Sequence, residues 1–132
     1  MKRFLLDTHI WLWAALEPHK LCSEVQELLS APQSELYLSP ISLWELATLV
    51  QKKRFALRED FGIWVQRSIY DLNLKEVSVD WKVAHEMSFV LPNHRDPADR
   101  FLAATAVVHD LCLVTSDQKL MGAAGLRVLA NV

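Results

Sequence analysis

Short apolar runs alternate along this chain with longer stretches of helical periodicity, and acids stand where the runs give way. Phe4-Leu5-Leu6 ends at Asp7. Leu36-Tyr37-Leu38 is followed by Glu45, one turn into the next segment. Asp99 lies in the first turn of a helical stretch that opens at Asp96-Pro97, and Leu113-Val114-Thr115-Ser116 closes on Asp117. Apolar strands that alternate with helices require a mostly parallel sheet covered on both faces. The carboxyl ends of parallel strands share one edge, where open α/β folds place their ligands. Carboxylates gathered there repel one another and are costly to keep ionised. A hard, oxygen-seeking cation is the natural counter-charge.

Periodicity and punctuation predict strands over 3–6, 35–38, 76–79 and 111–115, with 127–129 a candidate fifth. Helices are expected over 9–16, 23–29 with Ser23 as cap, and from Pro40 behind a Ser39 cap to the basic Lys52-Lys53-Arg54. Further helices are expected over 58–73, 80–91 and 97–109, the last with Asp96 as N-cap and Pro97 at its first position. No linker or repeat interrupts the pattern, so one domain over 1–132 is expected. Three glycines among 132 residues argue against a turn-rich sandwich and against glycine-rich phosphate loops. A net charge of −2 excludes a general nucleic-acid coat, so a nucleic-acid partner would need a local basic patch. Cys22 and Cys112 make no metal-binding cluster. No apolar stretch is long enough to span a bilayer and no leader is evident, which leaves a reducing cytosol as the expected compartment and no membrane among the partners.

Each acid also has an ordinary reading. Asp96 fits an N-cap, with Asp99 three residues on as in a capping box. Ser42-Leu43-Trp44-Glu45 has the same spacing if its helix starts at Ser42 rather than at Pro40. Asp117 alone would be a turn residue. Asp7 is hardest to dismiss, because an acid directly after a buried strand is usually paired or functional. The conjunction of all of them carries the weight.

The chain resembles the PIN-domain ribonucleases, and among them the VapC-like toxins of type II toxin–antitoxin pairs. The matching pieces are Phe4-Leu5-Leu6-Asp7-Thr8-His9, Ser39-Pro40-Ile41-Ser42-Leu43-Trp44-Glu45-Leu46, His94-Arg95-Asp96-Pro97-Ala98-Asp99-Arg100-Phe101-Leu102-Ala103-Ala104 and Leu113-Val114-Thr115-Ser116-Asp117. The resemblance implies a three-layer α/β/α PIN-like fold with a central, mostly parallel sheet. It also implies a metal-dependent endoribonuclease whose acids Asp7, Glu45, Asp99 and Asp117 are catalytic and bind Mg²⁺ or Mn²⁺, with Asp96 an additional acid. It implies an RNA substrate and a cognate antitoxin as partners; a homodimer is also expected. Thr8 and Ser116 are placed to hydrogen-bond the carboxylates or water. With no protein nucleophile in evidence, a metal-activated water is the expected attacking group. It would leave a 5′-phosphate and a 3′-hydroxyl.

His94 and Arg95, on the loop before the Asp99 helix, are candidates for substrate phosphate, as is Arg100, for which a solvated ion pair is the alternative reading. The basic run Lys52, Lys53, Arg54 and Arg58 reads as a solvated helix end. Trp11, Trp13, Trp44, Trp64 and Trp81 are core by default, but Trp11 and Trp13 point to different faces of one helix, which leaves room for an apolar groove that takes a partner helix. A phospho-accepting receiver module is one rival, with Asp7, Asp80, Thr115 and Lys119 at roughly its positions; it leaves Glu45 and Asp99 unexplained. A haloacid-dehalogenase-like phosphatase wants a second acid where His9 stands. A PIN fold that binds RNA or protein without cutting is the third.

Overall fold

The computed structural model describes residues 2–123 and 125–132. Five strands, β1 (Lys2–Leu6), β2 (Ser34–Leu38), β3 (Leu74–Glu76), β4 (Cys112–Thr115) and β5 (Val128–Ala130), form one sheet in the order β3-β2-β1-β4-β5. Every pairing is parallel. The helices are α1 (Thr8–Leu16), α2 (Ser23–Ser30), α3 (Pro40–Gln51), α4 (Phe61–Asp71), α5 (Trp81–Glu86) and α6 (Pro97–His109). From β1 the chain steps to β2 and β3 on one side, then crosses back to β4 and β5 on the other. The strand order therefore reverses between β1 and β4, the position where open α/β sheets bind ligands.

Side chains alternate across each strand and divide the core into two layers. Phe4, Leu6, Leu36, Leu38 and Val114 pack with Ile10, Trp11, Val25, Leu46 and Trp64 from α1 to α4. Leu5 and Leu113 face the other way, onto Leu102 and Ala106 of α6, while Val83 and Val90 pack on Ala103 and Ala104. Both faces of β1 are dry, which is why Phe4-Leu5-Leu6 is apolar without interruption.

Several expected elements are shifted or shortened, among them α3, which stops at Gln51 short of the expected Lys52-Lys53-Arg54. β3 lies at Leu74–Glu76 rather than 76–79, because its neighbour β2 stops at Leu38. Beyond Leu38, Ser39 caps a helix and Pro40 has no N–H for a ladder, so Val77-Ser78-Val79 has nothing to pair with except one bond from the Val77 N–H to the Leu38 carbonyl at 3.3 Å. α4 starts only after Asp60, whose carboxylate accepts the Ile63 N–H, and ends before Asn73, which is left-handed at φ 53°. α5 ends at Glu86, where the expected helix ran to 91, and the Met87 carbonyl accepts the Arg100 guanidinium at 2.6 Å. The cap of α2 is Cys22, with Ser23 already helical. Trp11 and Trp64 are core as expected, 5.3 Å apart between ring centroids, and Trp11 donates its indole N–H to Ser68. Trp44 and Trp81 are not: they are 59% and 93% exposed.

Candidate active site

The carboxyl ends of β1 and β4, the middle of α3 and the first turn of α6 meet at the switch point. Asp7 is the residue after β1 and is buried. The register that pairs Leu6 with Val114 continues one step to set Asp7 beside Thr115, and the Asp7 N–H donates to the Val114 carbonyl at 3.0 Å. One Asp7 oxygen accepts the Thr8 N–H at 2.7 Å, which caps α1, and the other accepts the Thr115 hydroxyl at 2.6 Å. The same Thr115 oxygen accepts the Asp117 N–H at 3.0 Å. Asp117 folds back to accept the Lys119 N–H at 2.9 Å.

Glu45 reaches this edge from α3. The helix begins at Pro40 behind Ser39, so Ser42 and Glu45 are interior to it and do not form a capping box. Their side chains converge on Thr8 instead. The Thr8 hydroxyl donates to Glu45 at 2.5 Å and lies 2.9 Å from the Ser42 hydroxyl. Thr8 has one proton, so with Glu45 taking it, Ser42 donates to Thr8. Asp99 comes from the first turn of α6, where Oδ2 is 2.9 Å from His94 Nε2, and both side chains are largely sheltered at 14% and 12% exposure. Asp96 is exposed and caps α6 through the Ala98 N–H at 3.0 Å.

Burial pushes Asp7, Glu45 and Asp99 above the usual carboxylate range, against hydrogen bonds from Thr115, Thr8 and His94 that pull the other way. Asp99 is pushed up to about 6, with the charges of Asp96, Asp7 and Asp117 adding to burial. His9 is exposed and lies against Trp13; its charge lowers both Asp7 and Glu45. Sheltered acids under mutual repulsion are the donor set a divalent cation requires, and one oxygen each of Asp99 and Asp117 and a ring nitrogen of His94 lie within 4.8 Å of one another. The residues present therefore fit such an ion.

The other expected site residues fall as follows. Thr8 meets Glu45 as expected. Ser116 makes no side-chain hydrogen bond among the described residues; Thr115, one position earlier, holds the carboxylate. Arg95 is exposed on the loop before α6. Arg100 is turned away from the acids to the Met87 carbonyl, its Nε buried. Asp80, the acceptor in the receiver reading, caps α5 and lies 3.4 Å from His109 at the far end of α6, about 15 Å along the helix from Asp99. Thr115 and Ser42 were missed. A hydroxyl at the end of an apolar strand beside another strand's terminal acid was the available sign for Thr115.

The family model described as PIN domain matches residues 4–126. The chain belongs to the PIN-domain family. Ribonuclease VapC22 of Mycobacterium tuberculosis is 33% identical over 122 residues, 91% of each chain. The PIN fold recurs in VapBC2 from Rickettsia felis, solved bound to a promoter DNA fragment, with a TM-score of 0.75 at 18% identity over 97% of this chain and 98% of that one. FitAcB from Neisseria gonorrhoeae matches at a TM-score of 0.67 and 26% identity, over 97% of each chain. Among the described residues of this PIN domain, no helix is long and apolar enough to cross a membrane.

Proposed function

We propose that this chain is a metal-dependent endoribonuclease and the toxin of a toxin–antitoxin pair. One observation carries the reading. Asp7, Glu45, Asp99 and Asp117 are gathered at the strand-order reversal of a PIN fold, in a chain 33% identical to a ribonuclease. Mg²⁺ or Mn²⁺ bound there would activate water and offset charge on the scissile phosphate. The protein's part is positional. Thr115 and the Thr8 N–H fix both oxygens of Asp7, the Thr8 hydroxyl aims Glu45, and His94 holds Asp99 before a cation binds. Dry packing beneath Asp7 keeps these donors rigid, and donors so held need no reorganisation when the substrate arrives. Exposed Arg95, on the loop before α6, is a side chain placed to meet an RNA phosphate.

The antitoxin is the proposed protein partner. A groove of about 400 Å³ runs between the end of α1 and α4, with Ala14, Ala15, Leu16 and Leu57 on its walls beside the charged Arg58, Glu59, Arg67 and Asp71, and suits an amphipathic helix. A homodimer of this chain and a cytosolic location belong to the same reading; light scattering of the purified chain tests the first. The decisive assay incubates purified protein with structured RNA in Mg²⁺, in Mn²⁺ and in chelator, and examines the ends. Cleavage only with metal, leaving 5′-phosphate and 3′-hydroxyl, is expected. Cleavage in chelator, or 2′,3′-cyclic ends, would overturn the mechanism.

A further inference from the structure

The acids of this site are oxygen donors, yet the fold turns one nitrogen into their midst. His94 follows a turn in which its N–H donates to the Leu91 carbonyl at 3.0 Å and Leu91 is left-handed at φ 47°. That turn swings the imidazole onto the first turn of α6, where Nε2 stands 2.9 Å from Asp99 Oδ2. We propose that His94 is an inner ligand of the bound cation, with Asp99 and Asp117, its Nε2 giving up the hydrogen bond to Asp99 and the ring keeping its proton on Nδ1, and that this nitrogen biases the site toward Mn²⁺ over Mg²⁺. The inference rests on the metal-dependent reading above and adds the residue that selects among metals.

The spacing supports shared ligation. Ligands of an octahedral ion at about 2.0–2.1 Å lie about 2.9 Å apart when adjacent and about 4.1 Å apart when opposite. The Nε2–Oδ2 distance of 2.9 Å matches the adjacent case. The full trio, within 4.8 Å, reaches one ion with a contraction of less than an ångström. His94 is only 12% exposed, so the ring is held over the acids rather than swinging in solvent. Mg²⁺ takes oxygen donors and keeps much of its water, whereas imidazole binds first-row transition-metal ions, Mn²⁺ the weakest of them but still a better imidazole acceptor than Mg²⁺. A histidine in the inner shell therefore penalises Mg²⁺ relative to Mn²⁺. A residue that merely held Asp99 in place by a hydrogen bond would affect both ions alike.

The test reads the metal rather than turnover. Mn²⁺-loaded protein is examined by electron spin-echo envelope modulation, unlabelled and with ¹⁵N-histidine, alongside His94→Gln and His9→Gln. The expected result is ¹⁴N modulation in the unlabelled protein, a ¹⁵N pattern after labelling, loss in His94→Gln and retention in His9→Gln. Calorimetry should show the Mn²⁺-over-Mg²⁺ preference falling by about tenfold or more in His94→Gln. Bound Mn²⁺ without nitrogen modulation in the labelled and unlabelled wild type overturns the role of His94 and leaves the acid site standing; those two samples need no variant to fold. Retention of the modulation in His94→Gln overturns it equally. Failure of the wild type to bind Mn²⁺ at all overturns both this assignment and the metal-dependent reading.

Discussion

The Thr115 hydroxyl gives its proton to Asp7 at 2.6 Å and takes the Asp117 N–H at 3.0 Å, so one buried side chain at the end of β4 orients two acids. Thr115→Val keeps the shape and removes both bonds. Leaving a buried carboxylate oxygen without its donor should cost about 1–3 kcal/mol of stability. Urea unfolding would measure that loss, and RNA cleavage should fall with it. Thr115→Ser should keep most of both. Wild-type stability in Thr115→Val would show that Asp7 does not depend on this hydroxyl.

Asp7→Asn, Glu45→Gln, Asp99→Asn and Asp117→Asn should each reduce RNA cleavage by 10²-fold or more, about 2.7 kcal/mol of barrier. The amides keep size and remove the charge that holds a cation. Asp96→Asn should be the mildest, because an exposed cap accepting one N–H is well replaced by Asn. Single-turnover cleavage rates decide the ranking, and an Asp96 variant as inactive as Asp7→Asn would mean that Asp96 binds more than its own helix.

Asp99, pushed up to about 6, makes metal binding pH-dependent. Its folded pKa lies above the ordinary 3.8, so between those values the metal-free folded state holds more proton than the unfolded chain. The stability this group contributes is therefore present below 3.8 and lost as pH rises through about 6. A cation competes with that proton and binds more weakly as pH falls through the same range. The rise in melting temperature caused by Mn²⁺ should be larger at about pH 7.5 than at about pH 5, and the difference should flatten in Asp99→Asn. A metal response independent of pH would remove Asp99 from the ligand set.

The antitoxin reading has a cellular test. Expression of this chain alone should arrest growth, co-expression of a short protein from the neighbouring reading frame should restore it, and the two should copurify. Leu16→Glu, in the wall of the groove beside α1, should weaken the complex while RNA cleavage survives. An intact complex with that variant would place the partner elsewhere. Absence of any growth effect from the active protein would favour a nuclease in RNA processing.

Most of the architecture is written in local pattern. Alternating apolar runs, the Ser39-Pro40 and Asp96-Pro97 helix starts and the acids after β1 and β4 are all visible in single segments. What is not visible depends on a neighbour. The position of β3 is fixed by where β2 ends, and the fate of Met87 by an arginine from α6. The partnership of Thr115 with Asp7 needs the β1–β4 register, which joins residues 108 apart. His94 read as a loop residue facing RNA because nothing in the sequence shows the turn at Leu91 that faces it inward. Trp81 read as core because composition counts tryptophans without placing them.

The strand order has a consequence for biosynthesis. β1 emerges first from the ribosome but gains its second neighbour only when β4 is made, and Asp117 follows later still. Until then β1 has a bare edge, Asp7 lacks the Thr115 proton, and the acid group is incomplete. A chain that has not yet reached Asp117 therefore lacks the assembled acid group. Vectorial synthesis gives the cell an interval in which a partner can arrive before the edge closes.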